Sequence, residues 1–124
     1  MKRLLAFTAL IEAATGLALM AAPTVAVRLL LGGDISGASI PLGRVAGLSL
    51  LSLGIACWLR RAPIGSTAPA LRAMLTYNSL VTLYLVCLGV RGEWVGPLLW
   101  PAVALHGILS LMLVRQWRLG DMAQ

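Results

Sequence analysis

Residues 4–22 read LLAFTALIEAATGLALMAA: apolar, small or hydroxyl-bearing side chains interrupted near the middle by one carboxylate, Glu12. A run of this length can cross about 30 Å of hydrocarbon as a helix rising 1.5 Å per residue, for which roughly 20 residues are needed. An ionisable side chain at bilayer depth costs roughly 2.5 to 3.5 kcal/mol on insertion scales. Glu12 therefore marks both a membrane helix and a candidate working point within it.

Three further stretches have the same character. The second runs from Leu42 to Leu59 and stops at Arg60-Arg61-Ala62-Pro63, the third from Ala70 to Val90, and the fourth from Trp94 to Val114. Between the first and second lies a short apolar element, Thr24 to Leu31, then the turn-forming residues Gly32-Gly33-Asp34 and Ser36-Gly37. This element either continues the first helix past a kink at Pro23 or lies along the interface. The fold expected is all-α: a single-domain, up-down-up-down bundle of four transmembrane helices spanning residues 1–124.

Composition agrees. Of the 124 residues 60% are hydrophobic and 11% charged, with a mean hydropathy of +0.92. Soluble domains carry about 25% charged residues, and a water-soluble fold with so few would expose large apolar patches. The start, Lys2-Arg3 followed by an apolar run and Ala21-Ala22, also has the outline of a secretory signal peptide, but Glu12 is out of place in the apolar region of such a peptide.

Basic residues fix the expected orientation. Lys2, Arg3, Arg60, Arg61, Arg72, Arg115 and Arg118 fall on the side of the termini, against Arg28, Arg44 and Arg91 on the other. Cytoplasmic flanks accumulate Lys and Arg, so both termini are expected in the cytoplasm, next to anionic inner-leaflet lipid. The net charge of +6 does not imply a nucleic-acid partner, because the basic residues are scattered over helix ends rather than gathered with aromatics on one face.

Glu12, Asn78 and His106 each stand about eight residues from the terminal-side end of their spans, so the spacing predicts one polar layer near mid-membrane. Thr8, Thr15 and Gly16 surround Glu12 at helical spacing, Thr82 follows Asn78, and Ala102 and Ser110 flank His106. Tyr77 and Trp100 are candidates for the wall of this site. Hydrocarbon offers no hydrogen-bond partners, so a carboxyl, an amide and an imidazole are each better placed facing one another than facing lipid. Asn78 also has a purely structural reading as an interhelical hydrogen bond, as does His106, a lone histidine being a weak metal signal. Arg44, just inside the second span, either snorkels to the interface or turns inward as counter-ion to Glu12.

Gly43, Gly47 and Gly54 mark the second span for close packing, within the chain or between two copies. Pro97 and Pro101 are expected to free carbonyls and kink the fourth span near the polar layer. Cys57 and Cys87 belong at opposite depths, too far apart to bridge, and read as packing residues. No triad, metal-ligand spacing or phosphate loop is present, and Ser110 shares a helical face with His106 without an orienting acid, so an enzyme is the weakest of the readings and no cofactor is expected.

The runs GRVAGLSLLSLGIACWLRR (43–61), MLTYNSLV (74–81) and GEWVGPLLWPAVALH (92–106) together resemble a group of small bacterial four-helix integral membrane proteins, loosely DoxX-like. That resemblance implies a bacterial inner-membrane bundle and assigns no activity or functional residue. Two functions remain open: a protein that binds or transports a proton or small amphipathic ligand through Glu12, Asn78 and His106, and an accessory subunit docking on a larger membrane complex or on its own copies. Lipid is the expected surrounding in either case.

Overall fold

A computed structural model describes residues 2–59 and 68–121. Arg60 and Arg61, counted above on the terminal side, lie outside the described residues. Among the described residues there are five helices, α1 Lys2–Ala21, α2 Pro23–Leu31, α3 Ser39–Leu59, α4 Ala68–Arg91 and α5 Leu99–Asp121, and no strand. All but α2 are long and apolar enough to cross a membrane.

Periodicity explains which faces turn inward. Leu5, Thr8, Ala9, Glu12 and Gly16 form one buried stripe along α1; Leu71, Met74, Asn78 and Leu85 do so along α4, and Leu99, His106, Leu109 and Leu113 along α5. Spacings of three, four and seven residues keep each set on one side of its helix. The outer faces present Phe7, Leu10, Leu83, Val90 and Leu111, a surface suited to hydrocarbon and poorly suited to water. Exposed tryptophans sit at both ends, Trp58 and Trp117 on the terminal side, Trp94 and Trp100 on the other, as expected at the two membrane interfaces. Arg72 lies over the Trp117 ring at 5.9 Å in the first of these belts.

Packing divides the bundle into two antiparallel pairs, α1 with α3 and α4 with α5, with looser contacts between the pairs. The first pair is closed by glycine. Gly47 lies against Gly16 and Met20 of α1, Gly54 against Ala9 and Ala13, and Gly43 against the Pro23 ring, so the small-residue stripe of α3 is used within the chain. Between the pairs, Leu5, Ala9, Cys57, Leu71, Met74 and Leu113 form an apolar core on the terminal side.

The opposite end is tied by backbone. α2 begins with Pro23 in its first turn, where the missing N–H costs nothing. It ends at Gly32, whose φ of 75° lets its N–H cap the Arg28 carbonyl. The connection between α4 and α5 then folds onto α2, with Gly96 N–H donating to Leu30 O at 3.1 Å and Leu98 N–H to Leu29 O at 2.9 Å. Arg28 pairs with Asp34 in the exposed turn that follows, its Nε donating at 2.7 Å.

Several expectations are corrected here. The fourth helix starts at Leu99, not Trp94, and continues past Val114 to Asp121. Gly92, at φ 73°, ends α4, and Pro97 lies in the connection before α5. Pro101 sits in the first turn of α5, where its absent N–H would have no intrahelical acceptor. Neither proline therefore frees a carbonyl near the polar layer. Cys57 is buried in the core, but Cys87 is exposed on the outside of α4; both thiols are free.

Candidate functional site

The polar layer forms where the two helix pairs meet. α1 brings Glu12, fully buried near the middle of the helix. α4 brings Asn78, also fully buried, and Tyr77 beside it, half-buried. α5 brings His106, 8% exposed. Each of the three buried polar side chains lies on the stripe that also carries its helix's buried leucines or methionine, so apolar packing itself carries the polar groups inward.

Asn78 ties two helices together. Its amide nitrogen donates to Met74 O one turn back at 2.9 Å, and its Oδ1 accepts from His106 Nδ1 at 2.8 Å. With the amide oriented this way, His106 carries its proton on Nδ1. Backbone carbonyls of the same two residues are also occupied, Asn78 O by Thr82 Oγ1 at 2.7 Å and His106 O by Ser110 Oγ at 2.8 Å. Thr8, on the α1 stripe, donates back to Leu5 O at 3.0 Å.

Glu12 is left out of this network. His106 Nδ1 lies 3.9 Å from Glu12 Oε1, an ion-pair distance too long for a hydrogen bond. The side chains of Asn78 and Tyr77 come up to the carboxyl group, yet neither Glu12 oxygen completes a hydrogen bond of acceptable geometry. Buried polar groups normally have a partner, and leaving one without costs about 1 to 3 kcal/mol. The Tyr77 ring meets the His106 imidazole edge-on, centroids 6.2 Å apart, so tyrosine, histidine and acid form one contiguous group.

Two sequence candidates do not join it. Trp100 is 50% exposed and packs against Gly89 toward the end of the bundle away from the termini. Six residues before His106, it lies nearly two helical turns from the cluster. Arg44 is exposed, and the ionic contact to Glu12 among the described residues comes from His106. Thr15 also faces outward, while Gly16 is spent on the contact with α3. What sequence reasoning missed is that His106 Nδ1 bonds to Asn78 Oδ1 and stops 3.9 Å short of Glu12; helical spacing places residues on a common face but does not select a hydrogen-bond partner.

The Asn78–His106 bond is open to direct measurement. In a double-mutant cycle with Asn78→Ala and His106→Ala, the coupling energy read from unfolding in detergent is expected at about 0.6 to 2 kcal/mol, the range for interhelical hydrogen bonds in membrane proteins. Additive losses would show that the two side chains act separately. Among the described residues no group of three His, Cys, Asp or Glu side chains is placed to hold a metal ion. No family model, characterised protein or solved structure matches this chain, so the chemistry of the site is read from its own residues.

Proposed function

We propose that this is an integral membrane protein whose mid-membrane polar layer binds a proton or a small amphipathic ligand, with Glu12 as the proton carrier. The observation that supports this reading is a fully buried carboxyl whose two oxygens lack hydrogen-bond partners. An ionised carboxylate in that position would carry a large uncompensated desolvation cost, so the resting group holds a proton. The arrangement also provides a response to its loss. A carboxylate formed at Glu12 stands 3.9 Å from the Nδ1–H that Asn78 now accepts. A small rotation of the imidazole exchanges the Asn78 oxygen for a charged acceptor, which makes the stronger bond. Protonation of one atom thereby selects between two hydrogen-bond arrangements linking α1, α4 and α5.

Infrared difference spectra of the purified protein, recorded across a pH step, test this. The chain has four Asp and Glu residues in all, so the carbonyl band of a buried carboxylic acid is assignable. The band is expected in the wild type and lost in Glu12→Gln; its persistence in the variant would refute the assignment.

The bias of Lys2, Arg3, Arg72, Arg115 and Arg118 over Arg28, Arg44 and Arg91 among the described residues supports an inner-membrane orientation with both termini in the cytoplasm. A fluorescent protein fused to the C-terminus is expected to fold and fluoresce, and a periplasm-dependent phosphatase fused there to stay inactive. The reverse pattern would invert the topology.

A further inference from the structure

A carboxyl sealed inside a bundle needs a route by which its proton or ligand comes and goes. Glu12 has no accessible surface, so the route must be found among the seams around it. On α1's own side the seam with α3 is drawn together by backbone-to-backbone contacts at Gly16, Gly47 and Gly54, and the cleft of about 220 Å³ left on it is lined by Ala9, Leu10, Ala13, Gly54, Ile55 and Trp58, none of them a side chain that meets the Glu12 carboxyl. Toward the termini, Leu5, Leu71, Met74 and Leu113 close the core. Away from the termini, α2 and the connection between α4 and α5 are joined by hydrogen bonds. A recess of about 490 Å³ between α4 and α5 is lined by Ser79, Thr82, Leu83, Gly107 and Ser110. Two of the three hydroxyls in its lining, those of Thr82 and Ser110, are bound to the Asn78 and His106 carbonyls.

The seam between α3 and α4 differs. A cleft of about 330 Å³ opens there toward the lipid, lined by Ala46, Ser49, Leu50, Leu53 and Tyr77. Tyr77 is at once a wall of this cleft, an edge contact of the His106 ring and a neighbour of the Glu12 carboxyl. Its half-buried side chain stands between hydrocarbon and the unpartnered oxygens. The chemistry of the walls restricts what enters. Ala46, Leu50 and Leu53 are apolar, and the Ser49 hydroxyl already donates to Val45 O at 3.0 Å. The walls therefore suit an apolar body, and the buried side-chain atoms beyond them that lack a hydrogen-bond partner among the described residues are the two Glu12 carboxyl oxygens.

We infer that the α3–α4 cleft is a lateral entrance from the bilayer to Glu12, closed by Tyr77, and that the ligand it admits is a lipid-dissolved amine. The inference rests on the proton-binding reading of Glu12 and adds to it a route and a ligand class. An amine meets the demand of the site: its nitrogen takes the carboxyl proton, and the resulting ammonium donates N–H bonds to the oxygens that now lack them. No proton is lost, and the charge pair forms away from water. The groups facing Glu12 from the packed helices are His106 on α5 and Tyr77 on α4, with Cys57 of α3 within electrostatic reach.

Dicyclohexylcarbodiimide, which dissolves in lipid and attacks protonated carboxyls, is the probe, applied to the whole protein in liposomes with modification of Glu12 followed by mass spectrometry. Glu12 is expected to be labelled, several-fold faster in Tyr77→Ala and several-fold slower in Ser49→Leu, which fills the cleft from its other wall. Ser79→Leu, placed in the α4–α5 recess, is expected to leave the rate unchanged. Decylamine is expected to slow labelling of the wild type and decanol, with the same chain, to leave it alone. Labelling that ignores both Tyr77→Ala and Ser49→Leu, or that Ser79→Leu blocks, overturns the cleft as the route; equal protection by decylamine and decanol overturns the amine. In either event a Glu12-dependent infrared band leaves the proton site standing, whereas loss of that assignment brings down both. Unchanged helical content and monodispersity of each variant separate these results from misfolding.

Discussion

Glu12→Leu is expected to yield a more stable bundle that no longer takes up a proton. The expectation follows from the state of the carboxyl: fully buried, with neither oxygen bonded, 3.9 Å from the nearest imidazole nitrogen. Removing a buried polar group that lacks partners recovers its desolvation penalty, about 1 to 3 kcal/mol, and leucine is a close match in volume. Neither Asn78 nor His106 is orphaned by the change, because their shared bond and the Asn78 bond to Met74 do not involve Glu12. A midpoint of thermal or denaturant unfolding in detergent that rises in Glu12→Leu, together with loss of the buried carboxylic-acid band, is the predicted result. Glu12→Gln, which keeps shape and polarity, loses the band and stays near wild-type stability. If Glu12→Leu were destabilised by several kcal/mol, the carboxyl would be a structural element with a partner in the folded protein, and the proton-binding reading would fail. Sites that bind at the expense of stability are a familiar pattern.

Much of this architecture was legible in the sequence for a specific physical reason. Hydrocarbon admits few backbone solutions, so long apolar runs announce helices. The three-and-four spacing that carries Leu5, Ala9 and Leu113 inward carries Glu12, Asn78 and His106 with them. Helix ends were less legible. Pro97 and Pro101 read as kinks because hydropathy continues through Trp94 to Leu98; the backbone treats Gly92 as a stop and the prolines as a helix start. The fate of the glycine stripe was open as well. Small residues on one face favour close approach to some helix without naming it, and α1 proved to be the partner through glycine and alanines of its own. Side-chain pairing was least legible. Several donors and acceptors at one depth allow several networks, and the choice of Asn78 for His106 depends on tenths of an ångström that periodicity does not encode.

Gly47→Leu is expected to do the opposite of Glu12→Leu and to prevent the first helix pair from closing. A Cβ at Gly47 would stand 2.6 Å from Gly16 O and 2.7 Å from Met20 N, and one at Gly16 would stand 2.5 Å from Leu51 N. These neighbours are backbone atoms, which cannot swing aside as a flexible side chain does, so the two helices must separate along the contact. Overpacking of a dense interface costs about 1 to 3 kcal/mol, and a rigid backbone obstacle puts Gly47→Ala at the upper end of that range, with Gly47→Leu beyond it. Close approach of small residues is itself a main source of helix association in lipid, so little else holds α1 to α3 once it is lost. The matched control is Gly107→Ala on α5, where an added Cβ would meet only Thr82 Cγ2 at 3.7 Å, an ordinary van der Waals contact. Relief of glycine's low helix propensity there favours the variant by up to about 1 kcal/mol. Unfolding midpoints that fall steeply for Gly47→Ala while holding or rising for Gly107→Ala would tie stability to the α1–α3 seam. Equal effects at the two positions would mean that the pair is not held by backbone contact, and would reopen that seam as a second way to Glu12.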